Sequence, residues 1–480
     1  MKKLKISEVM ASSGVTFGTS GARGLVNAMS DEVCAAYTAA FLAMIRPSFK
    51  VSRIALGIDL RPSSPRIAAA CAAALREQGI QVDYCGALPT PALALYAQNE
   101  AIPAIMVTGS HIPFDRNGIK FYRPDGEITK SDELAISDAV VEIGQTSGEL
   151  PAVNPAALEQ YLQRYLNFFP AQYFKGLRLG LYEHSSVARD GLRTLLEALG
   201  AKVTSLGRTE EFVPIDTEAV TALDIQKGKD WATQHAFDAI LSTDGDGDRP
   251  LISDETGAWL RGDIVGLICA RYLGAKTVVV PVSCNTAIEL CGAFANVART
   301  RIGSPYVIAG MQQAASGLDD GVVGFEANGG FLVGSRFTHQ GKPLAPLPTR
   351  DAVLPALAVL AAAREANGKV SDLMKDLPKR YTASDRLQEF PVAASRQLIQ
   401  ELGNNAEALH HYLAPDQGLP TDCDTTDGLR ITFDNGEIVH LRPSGNAPEL
   451  RCYCEAATEQ RAMQLVQTVL ARIENQGNTD

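Results

Sequence analysis

The chain has 480 residues, of which 46% are hydrophobic and 21% charged, and its formal net charge at pH 7 is −11. This length exceeds what one hydrophobic core supports, so we expect a soluble protein of three to four domains. The acidic balance argues against nucleic acid or an anionic membrane as partner, and no apolar run approaches the roughly 20 residues that cross a bilayer.

The cysteines and the N-terminus bear on where the protein works. Nine cysteines are scattered without a CxxC pair, which favours reduced thiols over a disulfide framework. The basic start at Lys2 is not followed by the apolar core of a signal peptide. We therefore expect a cytoplasmic protein.

The first predicted block is α/β and opens with a glycine-rich loop at residues 17–24. Its glycines free the backbone to approach a ligand, and Thr19, Ser20 and Arg23 offer polar contacts. A strand at 53–60, a helix at 65–78 and a strand at 82–88 follow. The polar corner Asp59 to Ser64 ends the first of these strands, where open α/β sheets place ligands.

The next strand, at residues 104–107, is followed by a turn that presents Ser110 beside His111. An exposed hydroxyl with a cation behind it suits reversible phosphorylation, because an unmodified serine is a weak nucleophile that needs an activating neighbour. The alternative is that Ser110 only satisfies backbone amides, as most loop serines do. The chain then returns through a tight turn and a strand that carries Lys120.

A second α/β block opens near residue 152 and ends in an acidic loop. Its last strand, at 237–241, precedes Asp244, Asp246 and Asp248. Three carboxylates this close repel one another unless a cation lies among them, and oxygen ligands favour Mg²⁺ or Ca²⁺. An EF-hand loop is disfavoured because its glycine position holds Arg249 and a strand precedes it. The loop fits Mg²⁺ completed by a phosphate oxygen, and a solvated acidic turn stays the alternative.

The remaining chain contains a third α/β block and a different C-terminal unit. The third block has polar loops at 299–304, with Arg301, and at 324–330, with Glu326 and Asn328. A hairpin-like pattern after residue 371 indicates a small α+β domain. Its loop 442–451 combines arginines, a hydroxyl and glycine-freed amides, which either cradle a phosphate or form an ordinary surface turn. The predicted domains are 1–151, 152–257, 258–370 and 371–480.

Five of these loops, taken in order, resemble those of the α-D-phosphohexomutase superfamily and its bacterial phosphomannomutase/phosphoglucomutase group; they lie at residues 17–24, 108–113, 244–249, 326–330 and 442–451. The resemblance covers nearly the whole chain. It implies an α/β fold of three related α/β domains plus a C-terminal α+β domain around a central cleft, with one loop of each domain facing the substrate.

The resemblance also implies roles for individual residues. Ser110 would carry the phosphoryl group, and its phosphate with the three aspartates would bind one Mg²⁺. Arg23 and Arg249 would touch the transferring phosphate, while His111 and Lys120 would assist proton movement. The implied substrate contacts are Thr19, Ser20, Arg301, Glu326 and Asn328, and those to the phosphate that is not reacting are Arg442, Ser444, Gly445, Asn446 and Arg451.

Two loops depart from the pattern of the family. Gly109 and Ile112 stand where alanine and asparagine are usual, and Asn328 and Gly330 stand where serine and histidine are usual. The second departure leaves the general base and the sugar preference open. We consider His339 as a residue that could reach the site in place of the missing imidazole.

The expected activity is interconversion of hexose 6-phosphate and hexose 1-phosphate, with mannose first and glucose second, and with hexose 1,6-bisphosphate as activator. One alternative keeps the fold and acts on glucosamine phosphate. Another is a non-catalytic protein that binds Ca²⁺ or senses a phosphosugar. We expect a monomer or homodimer whose partner is the phosphosugar, without nucleic acid or membrane.

Overall fold

The computed structural model, which describes residues 2–18, 21–317, 319–413, 418–444 and 448–477, contains two two-stranded sheets and four larger sheets, which follow one another along the chain. Thr19, Ser20, Gly445 and Asn446 therefore lie outside the described residues. We call the parts that hold these sheets the first (2–143), second (156–252), third (262–365) and fourth (370–477) units. The predicted domain boundaries stay a prediction.

The first unit is built on a mixed sheet with the strand order β2-β3-β7-β6-β4-β5. Strands β6 and β4 and the edge strand β5 are parallel to one another, and β7 and β3 continue the sheet antiparallel. The elements in chain order are β1 (Lys2–Lys5), α1 (Ile6–Ser13), β2 (Thr16–Phe17), β3 (Ala22–Leu25), α2 (Asp31–Ile45), β4 (Arg53–Ile58), α3 (Ser64–Glu77), β5 (Gln81–Ala87), α4 (Thr90–Glu100), β6 (Ala104–Val107), β7 (Arg116–Arg123), β8 (Gly126–Glu127), α5 (Lys130–Asp138) and β9 (Val140–Ile143).

The local sequence explains these elements. Strand β6 is apolar and wholly buried, as expected for a central strand that is covered on both faces. Helix α2 begins where the Ser30 side chain accepts from the Val33 amide, with acidic residues in the first turn. The basic start of the chain is not a tail, because β1 pairs antiparallel with β9.

The second unit has a smaller sheet with the order β11-β10-β12-β13, in which only β13 is antiparallel to its neighbour. Its elements are α6 (Ala156–Phe168), β10 (Arg178–Tyr182), α7 (Arg189–Ala198), β11 (Lys202–Leu206), α8 (Ala222–His235), β12 (Ala239–Thr243) and β13 (Pro250–Ile252). Strand β12 leads directly into the acidic loop.

The third unit repeats this plan with the sheet order β15-β14-β16-β17-β20. Its elements are α9 (Gly262–Leu273), β14 (Thr277–Pro281), α10 (Ala287–Leu290), β15 (Asn296–Thr300), α11 (Ser304–Ala314), β16 (Val322–Phe325), β17 (Phe331–Val333), β18 (Phe337–His339), β19 (Lys342–Leu344), β20 (Leu347–Asp351) and α12 (Val353–Glu365). The turn between β16 and β17 contains Glu326.

The fourth unit differs because its sheet, β21-β25-β24-β23-β22, is antiparallel throughout. After a 3-10 helix (Val370–Met374), its elements are β21 (Tyr381–Leu387), α13 (Val392–Asn404), α14 (Ala406–Leu413), β22 (Pro420–Asp424), β23 (Leu429–Phe433), β24 (Ile438–Pro443), β25 (Leu450–Ala456) and α15 (Glu459–Gly477). The predicted fold class, α/β units followed by an α+β unit, is confirmed.

One cluster of buried apolar side chains, from Ala55 to Leu377, joins the first three units and the start of the fourth, and the first unit also holds a second cluster of its own. The fourth unit packs around a core of its own. Among the described helices, none combines the length and the apolar sequence that crossing a bilayer demands.

Candidate active site

The loop after β6 meets the loop after β12 in the interior of the protein. The Ser110 hydroxyl donates to Asp244 Oδ2 over 2.7 Å. Asp244, Asp246 and Asp248 are buried, and each offers an oxygen within 4.8 Å of the others. The structure thus brings together the predicted phosphoserine and the predicted metal ligands, which lie more than a hundred residues apart in the chain.

The acidic loop leaves oxygens free for a cation. Lys120 Nζ donates to Oδ2 of Asp246 (2.6 Å) and to Oδ2 of Asp248 (3.0 Å). The Oδ1 atoms of both aspartates are buried and have no hydrogen-bond partner among the described residues, and Arg249 Nε lies 3.6 Å from that of Asp248. Buried carboxylate oxygens without donors are the ligands that Mg²⁺ or Ca²⁺ takes, so the residues present fit a divalent metal.

The carboxyl groups of this loop perturb one another. Burial, and then the charges of Asp246 and Asp248, raise the pKa of Asp244 well above its ordinary range. Burial acts in the same direction on Asp246, but the Lys120 ammonium, together with hydrogen bonds from Asp244 and Thr90, outweighs it and lowers the pKa of Asp246. A bound cation would stabilise the ionised form of all three groups.

Ser110 itself is not exposed, contrary to the expectation from its turn. Its accessible fraction is 0%, and its backbone is left-handed with φ of 54°. The amide of Ser110 donates to Thr108 Oγ1 over 2.8 Å. A non-glycine residue held at positive φ is strained, so the surrounding contacts must impose this conformation.

Those contacts come largely from Arg61, whose polar corner we expected to hold a ligand. That expectation is wrong. The buried guanidinium donates to four carbonyl oxygens of the serine loop, those of Ser110 (2.9 Å), Ile112 (2.6 Å), Pro113 (2.7 Å) and Arg116 (2.9 Å). The corner is filled by the loop, because the arginine satisfies backbone oxygens that would otherwise be buried without donors.

Gly109 stands where alanine is usual in the family, and the structure gives a reason for this difference. A Cβ atom at this residue would lie 2.6 Å from Arg61 Cζ, so a side chain and the guanidinium exclude each other. The ring of Phe212, from the second unit, lies 3.9 Å from the same guanidinium carbon and covers it from another side. Gly109 is therefore required by Arg61.

A cluster of arginines, formed by Arg23, Arg249 and Arg350, lies close to His111 and Ser110. Arg249 Nη1 donates to His111 Nδ1 over 2.8 Å, and that nitrogen is 3.5 Å from Ser110 Oγ. Burial, and then the charges of Arg249 and Arg23, hold the pKa of His111 well below its ordinary value, so its imidazole is neutral at pH 7. Burial with nearby Arg249 and Arg350 lowers the pKa of Arg23 to about 10.

The loop between β16 and β17 faces this cluster through Glu326. Its Oε2 accepts from Arg350 Nη1 at 3.3 Å, and Arg350 also contacts Asp248 Oδ2 through Nη2 at 2.9 Å. Asn328 Oδ1 accepts from the Gly330 amide at 3.0 Å, so its carbonyl shapes the turn. Arg350 was missed from the sequence, because no local pattern marks an arginine inside a short strand.

His339 does not reach this site. Its Nε2 lies 2.9 Å from Glu365 Oε1, and its ring packs on Tyr272 with a centroid distance of 4.3 Å. The idea that His339 replaces the missing imidazole is therefore wrong in this conformation. The position that a side chain at residue 330 would need is filled by Arg350.

The remaining predicted contacts lie at the third and fourth units. Arg301 is exposed, and its Nε donates to the Thr426 carbonyl at 3.1 Å. Arg442 Nε lies 2.9 Å from Asp427 Oδ2, and Arg451 Nη2 lies 3.5 Å from Glu449 Oε2. Ser444 is buried. The assignment of these residues to a phosphate stays a prediction, as does that of Thr19, Ser20, Gly445 and Asn446.

Comparison with known proteins agrees with this architecture. The chain matches the family descriptions "Phosphoglucomutase/phosphomannomutase, alpha/beta/alpha domain I" at residues 14–147, "alpha/beta/alpha domain III" at 261–381 and "C-terminal domain" at 365–472. It is 51% identical to a phosphomannomutase of Salmonella muenchen, over 98% of this chain and 97% of that one. It is 46% identical to a phosphomannomutase of Sinorhizobium fredii, over 95% and 98%.

A solved structure shares the fold. A phosphoglucomutase/phosphomannomutase family protein from Burkholderia thailandensis superposes with a TM-score of 0.74 at 19% identity, covering 95% of this chain and 97% of that one.

Proposed function

Because the chain belongs to the phosphoglucomutase/phosphomannomutase family and is a phosphohexomutase, we propose that it interconverts mannose 6-phosphate and mannose 1-phosphate, and also the glucose pair, through phospho-Ser110. The observation that carries the proposal is the Ser110 hydroxyl, held against Asp244 and 3.5 Å from a neutral His111. The full-length relatives named phosphomannomutases support mannose over glucosamine phosphate.

The proposed reaction has two phosphoryl transfers. In the first, the bond between phosphorus and Ser110 Oγ breaks while a free hydroxyl of the sugar phosphate bonds to phosphorus. The sugar hydroxyl loses its proton and Ser110 Oγ gains one, with His111 and Lys120 as the proposed assistants. In the second, the other phosphate of the bisphosphate returns to Ser110, which regenerates the enzyme.

Phosphoryl transfer depends on positioning and charge neutralisation more than on covalent help, and the cations around Ser110 suit that need. Arg23 and Arg249 are proposed to contact the transferring phosphate. Asp244, Asp246 and Asp248 would hold one Mg²⁺ together with the Ser110 phosphate, and the metal when bound would neutralise charge on the phosphoryl oxygens.

The rest of the substrate is assigned to the other loops. Glu326 would accept hydrogen bonds from sugar hydroxyls, with Asn328, Thr19, Ser20 and Arg301 as further contacts. The distal phosphate would be held by Arg442, Ser444, Gly445, Asn446 and Arg451. Hexose 1,6-bisphosphate is the proposed activator, because it phosphorylates Ser110 when the intermediate has been lost.

We propose that the enzyme works in the cytoplasm as a monomer or homodimer. Its nine cysteines are free thiols, and a net charge of −11 disfavours nucleic acid as a partner.

The proposal is tested by replacing the phosphoryl carrier. Ser110→Ala should lower kcat by at least about 10³-fold, because the variant lacks the oxygen that accepts phosphate. Intact-protein mass spectrometry should find a phosphorylated fraction in the wild type and none in the variant. Turnover would be followed with mannose 1-phosphate and glucose 1-phosphate.

The matched control is Ser147→Ala, the same substitution at an exposed serine outside the site loops. It should keep wild-type turnover and phosphorylation. Mutase rates in Ser110→Ala close to those of the wild type would contradict the phosphoserine assignment. A wild-type protein that turns over neither sugar and binds Ca²⁺ more tightly than Mg²⁺ would instead support the non-catalytic alternative.

A further inference from the structure

One buried arginine joins the metal loop to the sugar loop. Arg350, only 4% exposed, directs both Nε (3.1 Å) and Nη2 (2.9 Å) to Asp248 Oδ2. Its third nitrogen, Nη1, lies 3.3 Å from Glu326 Oε2. The planar fork of a guanidinium makes such a bridge possible, whereas a lysine ammonium is a single point charge.

The bridge depends on the absence of a side chain at residue 330. A Cβ atom on Gly330 would lie 2.7 Å from Cδ, 2.8 Å from Cγ and 3.1 Å from Cβ of Arg350, and these are its three nearest atoms. Strand pairing explains the proximity, since Phe331 is opposite Asp351 in the β17–β20 pair. Gly330 therefore provides the space through which the stem of Arg350 passes.

The contact of Arg350 with Glu326 also leaves one oxygen of the Glu326 carboxylate available to a ligand. Oε2 is taken by Arg350 and has Asn328 Nδ2 at 3.5 Å. None of the described residues donates a hydrogen bond to Oε1. A carboxylate fixed in this way presents one acceptor in one direction, and such an acceptor discriminates between hydroxyl configurations.

We infer that Arg350 is a specificity-determining positioning residue. It orients Glu326 toward the sugar hydroxyls and at the same time contacts Asp248. The same guanidinium therefore positions the sugar-binding carboxylate and a residue of the metal loop. The inference deepens the proposed function and rests on it. It does not require Arg350 to touch the sugar or the transferring phosphate.

The test uses the steric conflict between a side chain at residue 330 and the stem of Arg350. Gly330→Ala keeps every polar group but displaces the stem of Arg350, and should change the ratio of kcat/KM for mannose 1-phosphate to that for glucose 1-phosphate by about fivefold or more. Arg350→Ala should change the ratio in the same direction. In the double variant Gly330→Ala/Arg350→Ala, the first substitution should change the ratio by less than about twofold more, because Cγ and Cδ of Arg350, the two nearest atoms, are gone and only Cβ, at 3.1 Å, remains.

Two controls separate this role from a general loss of structure. Gly148→Ala places a Cβ no closer than 3.6 Å to any neighbour and should leave both kcat/KM values unchanged. Melting curves would show whether Arg350→Ala folds. If Arg350→Ala does not fold, Arg350→Lys is used in its place. Arg350→Lys should recover part of the lost activity but not the sugar ratio.

The inference is overturned if Gly330→Ala and the Arg350 variants lower kcat/KM for both sugars by one common factor, or if the effects of residues 330 and 350 add. Failure of the proposed function is distinguishable, because then the wild-type enzyme itself turns over neither sugar. In that case, calorimetry would measure the Kd of mannose 1-phosphate and of glucose 1-phosphate, and the ratio of the two Kd values would be compared between the wild type and the variants.

Discussion

Arg61 shapes the reactive loop through its contacts with backbone oxygens. Its guanidinium is surrounded by four carbonyls, the Asp59 carboxylate at 3.2 Å and the Phe212 ring. Because Ser110 has a strained backbone, its position depends on these contacts more than on local preference. Arg61 thus acts on the chemistry through the loop and not on a ligand.

We predict that Arg61→Lys lowers kcat by about 10- to 100-fold with little change in KM, since small misplacement of a reacting group is costly in rate. A lysine cannot donate to four carbonyls around one plane. Steady-state kinetics with saturating bisphosphate activator measures the effect. Arg66→Lys, an exposed arginine paired with Asp31, is the control and should behave as wild type. A kcat within about twofold of wild type in Arg61→Lys would contradict the positioning role.

The sequence places well those site residues that a local pattern marks, while their roles stay a prediction. Ser110 and the three aspartates come directly after apolar strands, and the structure brings them together. Arg61 was misjudged and Arg350 was missed because Ser110 is 49 residues from Arg61 and Asp248 is 102 residues from Arg350 along the chain. A polar corner at a strand end looks the same whether it binds a ligand or a loop of its own chain.

At the level of elements, strands are the best predicted features near the site. Strands β6 and β12 lie where apolar runs were found, and their ends deliver the two loops. Helix α8 was missed because it is largely polar, with only Asp224, Gly228 and Ala232 buried, so its helical period is weak. The pairing of β1 with β9 was missed because its partners, such as Lys5 and Val140, are far apart in the chain, and such a register is not a local property.

The acidic loop should be stabilised by its metal, since its carboxylates are buried and two of their oxygens lack donors. We predict that Mg²⁺ raises the melting temperature of the wild type over that in EDTA, with binding contributing about 2.7 kcal/mol at 100 times Kd. Asp246→Asn should lose most of this shift, because it removes a ligand charge. Scanning fluorimetry across a Mg²⁺ series measures it.

The control for this prediction is Asp138→Asn, an exposed carboxylate at the end of α5. It should retain the full shift. Activity should also require Mg²⁺ and fall with Ca²⁺, whose longer bonds suit a larger cage. An identical Mg²⁺ shift in Asp246→Asn, or full turnover in EDTA, would show that the loop is not the metal site.

At the scale of the whole molecule, the fourth unit is joined to the others differently. One apolar cluster joins the first three units and the start of the fourth, whereas the sheet of the fourth unit packs around a separate cluster. Beyond the 3-10 helix, contacts between the third and fourth units include polar ones, such as Glu455 with the Thr286 amide (3.0 Å) and Asp427 with the Ile302 amide (2.9 Å). Interfaces of this kind permit relative motion of domains.

Arg442 lies at that junction, because Asp427 contacts both it and the third unit. In the proposed reaction, the bisphosphate must present first one phosphate and then the other to Ser110. Ser110 is on the first unit and the proposed cradle is on the fourth, so the ligand has to reverse between them. A protein with a net charge of −11 retains such an anion only through a few local cations.

We therefore predict that Arg442→Ala raises KM for both monophosphates by about 10- to 100-fold, since a charge-assisted hydrogen bond contributes roughly 1.5 to 3 kcal/mol. The weakened grip should also let the bisphosphate escape, which leaves Ser110 unphosphorylated. Turnover of the variant should then stall with time and recover when glucose 1,6-bisphosphate is added. Arg396→Ala, an exposed arginine of α13 in the same unit, should show neither effect. If Arg442→Ala matches the wild type in rate and in activator demand, the distal phosphate is held elsewhere.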